Sequence, residues 1–193
     1  MRNEQSNIID SSGATLSTVG DDSLNELIAH GHYFVECRDS DGNLKWSDEI
    51  ENVVTTLGKN ASANVLLDNV AAGAVRIGLK GTGTYVVGDT QTSHSGWLEV
   101  GATNAPDYTV GGSAVRAEPT FNAAAAGVKT TAAAQLFVFT SAGTVAGCFI
   151  NIGGTTAIDN TTGILFSAGD FTLGSKTVTT GDQLSVTYTL TIS

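Results

Sequence analysis

The chain has 193 residues, a formal net charge of −10, 23 Gly, only 2 Pro, and 15% charged residues. That length holds one domain with a real core and is short for two. The composition excludes disorder, which needs high charge and few β-branched residues, and the acidity leaves no basic footprint for nucleic acid or an anionic membrane surface.

The charge is uneven: residues 1–59 carry 11 acids and 4 bases, whereas residues 60–193 carry 8 and 5. Cys37 and Cys148 are too far apart in sequence to suggest a disulfide framework or a zinc motif, so a reduced cytosolic origin is expected, with both acting as small apolar residues. No apolar core of a signal peptide follows Met1, and no run approaches the length of a membrane span.

Residues 1–29 read as a polar N-terminal arm with isolated apolar residues. It is either a terminus without fixed structure or a segment that orders on a neighbouring subunit through Ile8 and Ile9. Asp22–Ile28 has the marks of one or two helical turns. His32–Cys37 reads as the first strand. Asp39-Ser40-Asp41-Gly42-Asn43 follows as a hairpin turn of type I′, and the returning strand 44–56 is expected to bend within Ser47–Glu49.

Leu57–Val70 is the best helix in the body of the chain, a short one. Strands follow at Ala74–Leu79, Trp97–Val100 and Ala114–Phe121, the last weakened by Pro119. Residues 122–134 read as loop plus strand start despite their Ala content. Leu136–Thr140 and Val145–Ile152 are strands, with Ser141-Ala142-Gly143 between them as a hairpin turn. Ile164–Ala168 and Phe171–Leu173 precede the final strand, Gln183–Ile192. There Leu184, Val186, Tyr188, Leu190 and Ile192 share one parity and Ser and Thr fill the other, so one face is apolar and one is lined with hydroxyls.

Eight or nine strands separated by Gly turns, with one short helix, predict an all-β fold: an antiparallel β-sandwich over residues 30–193, jelly-roll-like with two four-stranded sheets, or second an immunoglobulin-like sandwich.

No catalytic signature stands out. Asp39-x-Asp41-Gly42 has its Gly too early for a calcium loop. His30, His32 and His94 lack the carboxylates or thiols at tight spacing that usually complete a metal site. Ser93-His94-Ser95-Gly96 lacks a nucleophile elbow. Asp48, Glu49 and Glu99 would serve a carbohydrate-active enzyme only if the fold paired them. No catalytic, metal or cofactor residue is therefore assigned. Trp46 and Trp97 could form a sugar platform but are more often core.

Three stretches resemble a family of tailed-bacteriophage virion proteins: Cys37-Arg38-Asp39-Ser40-Asp41-Gly42-Asn43-Leu44-Lys45-Trp46, Thr92-Ser93-His94-Ser95-Gly96-Trp97-Leu98-Glu99, and Gly181-Asp182-Gln183-Leu184-Ser185-Val186-Thr187-Tyr188. The resemblance runs over residues 30–193. Some members of that family decorate or cement the capsid. It implies no cofactor and no reaction. It implies a homotrimer on the virion surface, made in the bacterial cytoplasm, that bridges neighbouring major capsid subunits. On that reading the expected contact residues are Ile8, Ile9, Asp39 and Asp41. A tail or baseplate protein that binds a host glycan through Trp97 or Tyr108 is the alternative.

Overall fold

A computed structural model describes residues 8–9, 15–16 and 29–192. Its first two strands, β1 (Ile8–Ile9) and β2 (Thr15–Leu16), pair antiparallel with each other. The expected turn at Asp22–Ile28 lies outside the described residues.

The body is built of two antiparallel sheets. Sheet I has the order β4 (Leu44–Glu51), β3 (Ala29–Arg38), β15 (Gln183–Ile192), β10 (Gln135–Phe139) and β8 (Tyr108–Thr109), with β9 (Val128–Thr130) against the far end of β15. Sheet II has the order β5 (Val53–Val54), β13 (Ile164–Asp170), β12 (Gly147–Ile152), β6 (Val75–Gly83) and β7 (Trp97–Val100). A small ribbon of β11 (Gly143–Val145) and β14 (Lys176–Val178) completes the set. The fold is all-β and sandwich-like, but its sheets carry six and five strands rather than the expected four and four.

The alternation in the last strand does what it predicts. β15 pairs with β3 along all ten residues, from Gln183 opposite Arg38 to Ile192 opposite Ala29. Leu184, Val186 and Tyr188 are buried with Tyr33, Val35 and Cys37 of β3 and Phe137 and Phe139 of β10. Facing them from sheet II are Ile77, Leu79, Cys148 and Ile150.

β12 is buried at every position. Its other face forms a second, smaller core of Phe149, Trp97, Leu165 and Ala168, with Tyr85 packed against it. Gly78 on the next strand makes this possible, because a Cβ there would overlap the Phe149 ring. Phe149 covers the bare strand with its own ring, as aromatic residues do opposite sheet glycines.

The helix α1 (Thr56–Asp68) falls where the sequence predicts it. Thr55 caps it, accepting from the Gly58 N–H at 3.0 Å. The pairing of β12 with β13 skips Phe166, which forms a β-bulge. The bulge turns carbonyls toward the helix start: Phe166 O accepts the Thr55 N–H at 2.9 Å and Leu165 O accepts its hydroxyl. Gly58 lies against the Phe166 carbonyl, with no room for a Cβ.

Several local expectations change. The turn after β3 is wider than type I′: Arg38 pairs Leu44, and the Asp39 carboxylate accepts the N–H groups of Asp41 and Asn43 at 3.0 and 2.8 Å. The break after β4 comes at Asn52, where the chain crosses from sheet I to sheet II. It does not come at Ser47–Glu49. Ser141–Gly143 is not a hairpin turn, because β10 and β12 belong to different sheets. Ala114–Phe121 makes only isolated bridges and Phe171–Leu173 is a turn, while β14 is a strand the pattern does not announce.

Two predictions follow from these contacts. Gly58→Ala, stabilising in an ordinary exposed helix, should here cost about 1–3 kcal/mol by forcing the bulge apart, read as a lower urea midpoint. Burial pushes the Cys37 thiol up to about 11, the Tyr188 phenol up to about 12 and the Tyr33 phenol well above its ordinary value. The unfolded chain releases these protons first, near 9 for the thiol and 10 for the phenols. Stability should therefore be complete below about pH 9 and fall between there and pH 12. Tyr188→Phe should flatten the upper part of that fall, and an unchanged urea midpoint from pH 8 to 11 would contradict the account.

Candidate functional site

Charged side chains in the interior tie loops to sheets. Glu99 of β7 is buried and takes both arms of the Arg116 guanidinium, at 2.7 and 2.6 Å. Arg116 also donates to Asn160 O at 2.8 Å, and Glu99 accepts the Asp159 N–H at 2.9 Å. Burial pushes the Glu99 carboxyl up, while Arg116 and the Asp159 N–H pull it back. Sequence reading misses this pair, since 17 residues separate the partners and no periodicity links them.

Three more pairs join one strand to another or to a turn. Lys80, fully buried, reaches Asp170 at 2.6 Å and the Gly83 carbonyl at 2.6 Å. Lys176 meets Asp48 at 3.0 Å, and Lys45 meets the buried Asp182. An amide chain, from Asn151 to Gln91 at 2.9 Å and from Gln91 to Asn160 O at 3.2 Å, ties the loop around Gln91 to the loop around Asn160.

The residues singled out from the sequence are scattered. Trp97 is 2% exposed, stacks on His94 with ring centroids 4.0 Å apart, and donates its indole N–H to Asp89 at 3.0 Å. Tyr108 is 1% exposed and packs edge-on against Phe137. Both expected contact residues are therefore core, and neither ring is offered to a glycan or another partner. The large apolar area of each ring is better buried in a core than left at a loop tip.

Asp39 is engaged by its own turn, where the Asn43 side chain and N–H hold its carboxyl below the ordinary value. Asp41 at the same tip is exposed. Ile8 and Ile9 are described only as paired backbone. His32 lies 3.4 Å from Glu49, while His94 stacks on Trp97 off the other sheet. Among the described residues, no group of three or more His, Cys, Asp or Glu is placed to hold a metal ion. Asp48 and Glu49, adjacent in one strand, point to opposite faces: Asp48 is buried and Glu49 exposed. No helix among the described residues is long and apolar enough to cross a membrane.

Among the described residues, two apolar features open to solvent adjoin α1. The first is the C-terminal end of α1. Gly58 is the helix's only buried residue, so its larger apolar side chains turn outward. Leu66 is 64% exposed, Leu67 84% and Val70, just beyond the helix, 53%. The second is a groove of about 270 Å³ at the open end of the sandwich, between α1 and the ends of both sheets. Tyr188, Leu190 and Ile192 line one wall, Ile150 and Ile152 another, and Val65 and Leu66 the third.

A buried polar cluster lies near Tyr188. The Tyr33 and Tyr188 hydroxyls are buried there together with the Ser167 hydroxyl and the Asn52 amide. The two phenol rings lie 4.7 Å apart between centroids.

No family model, curated protein or solved structure matches this chain.

The Glu99–Arg116 pair gives a sharp test. Arg116→Met strands a buried carboxylate and should cost about 3–5 kcal/mol in urea unfolding. Adding Glu99→Met should recover part of that loss, because the orphaned charge goes with it. A single-substitution cost below about 1 kcal/mol would mean the pair does not hold these loops.

Proposed function

We propose that this chain is a non-enzymatic phage structural protein that binds the outside of the capsid as a homotrimer and staples neighbouring major capsid subunits. The observation that carries this reading is the outward-facing apolar end of α1. Contiguous apolar surface of this kind marks sites of macromolecular contact. Here it sits on a body whose interior charges are used to fix loops.

Leu67 and Val70 are the contact residues this reading favours on the helix, and Asp41 at the acidic β3–β4 tip supplies a charged contact at the opposite end of β3. The resemblance of the β3–β4 hairpin, the Thr92–Glu99 segment and the start of β15 to virion proteins supports the same reading. The mechanism is linkage: a contact made only with the assembled shell stabilises the shell by the free energy of that contact. An acidic surface keeps the free protein soluble before it binds.

Two measurements test it. The molar ratio of this chain to the major shell protein in purified particles should lie between about one to one and one to two, because stapling by avidity needs a copy at each shell site. A ratio of a few per cent would overturn the decoration reading. Leu67→Asp with Val70→Asp should leave the melting temperature nearly unchanged and weaken shell binding by about tenfold or more, since burying a Leu side chain is worth about 1.5–3 kcal/mol.

A further inference from the structure

The groove at the end of the sandwich is apolar, open and positioned beside the start of the described body. Ile192, one of its lining residues, is the cross-strand partner of Ala29, the first residue of β3. The chain therefore enters the body at the groove's mouth, and 28 residues precede that point. Leu16 is 13 residues upstream of Ala29, a stretch that spans up to about 45 Å when extended, so reach is no obstacle.

The chemistry of the preceding segment suits the groove. It carries Ile8 and Ile9 on β1, and Leu16 on β2 is the partner of Ile8. It also carries five acids, Glu4, Asp10, Asp21, Asp22 and Glu26, against one base, Arg2. Among the described residues that line the groove, the only charged one is Lys129. Apolar residues to cover the floor and acids to meet a single rim cation are thus present on a tethered segment. A tether of this length holds its segment at an effective concentration near the millimolar range, which makes even a weak contact persistent.

We propose that the groove is the seat of the chain's own N-terminal segment, with the β1–β2 hairpin laid across Leu190, Ile192 and Leu66 and an acid of the segment paired with Lys129. Ile8 and Ile9 then belong to an internal latch, and the shell contacts fall to the helix end and the β3–β4 tip. The inference concerns the free chain and does not depend on the shell reading.

The test uses the full chain. Ile9→Cys with Leu66→Cys should form a disulfide within one molecule under mild oxidation, about tenfold faster or more than Ile9→Cys with Leu173→Cys, whose second site is exposed and lies outside the groove lining. Separately, Ile8→Asp, Ile9→Asp and Leu16→Asp together should raise the fluorescence of a hydrophobic dye severalfold by baring the groove. Equal rates for the two cysteine pairs would overturn the proposal. So would a disulfide that forms only between molecules, which would assign the groove to a second copy's segment. A small apolar molecule retained by the purified full chain in native mass spectrometry would overturn it as well, assigning the groove to a ligand.

Discussion

The structure depends on covering both faces of sheet II. An antiparallel sandwich ordinarily buries one face of each sheet and leaves the other to water. Here β12 is buried on both sides, so sheet II needs a cover outside as well as a partner inside. Sheet I supplies the partner, with β15 and β3 presenting an unbroken apolar row. The cover is the Trp97 side chain at the start of β7, together with irregular chain: Tyr85 and the loops around Gln91 and Asn160. Loops make a poor lid unless they are fastened, because their backbone groups need partners and their ordering costs entropy.

The buried charges are those fastenings. Glu99 and Arg116 join the edge of sheet II to the loop around Asn160. Lys80 draws the end of β13 toward the end of β6 at Gly83. Paired and hydrogen-bonded charges of this kind contribute little net stability compared with apolar residues of the same volume, and removing one partner is what costs. Their value lies in geometry. They set where the loops sit and so leave the outer layer with one arrangement.

How much of this is legible in the sequence depends on the range of the interaction. The alternation from Leu184 to Ile192 reads correctly because a strand's period is written in neighbouring residues. The helix over Thr56–Asp68 reads correctly for the same reason, although nothing local shows that its leucines face outward. The run from Gly147 to Ile152 contains the clue to double burial, since its apolar residues do not alternate cleanly. The sheet change at Asn52 and the placement of β10 and β12 in different sheets are invisible locally, because each is decided by partners more than ten residues away. Trp97 and Tyr108 show the limit for site prediction. A large aromatic in a turn-rich segment reads equally well as an anchor for a partner or as the lid of a core, and only the position of Asp89 and Phe137 in space decides. The groove and the outward end of α1 have no sequence signature, since both arise from where elements stop.

The sheet margins have a consequence for crowded solutions. At the borders of sheet II, β5 has two residues and β7 four, and β8 at one border of sheet I also has two. The one long border strand, β4, carries Lys45, Asp48, Glu49 and Glu51, with Asp48 pointing inward to Lys176. Short or charged borders give a second molecule little backbone to pair with. A chain this rich in β-structure and this poor in charge would otherwise be prone to polymerise strand to strand. With its margins closed in this way, the folded body offers little edge on which a further strand could be added.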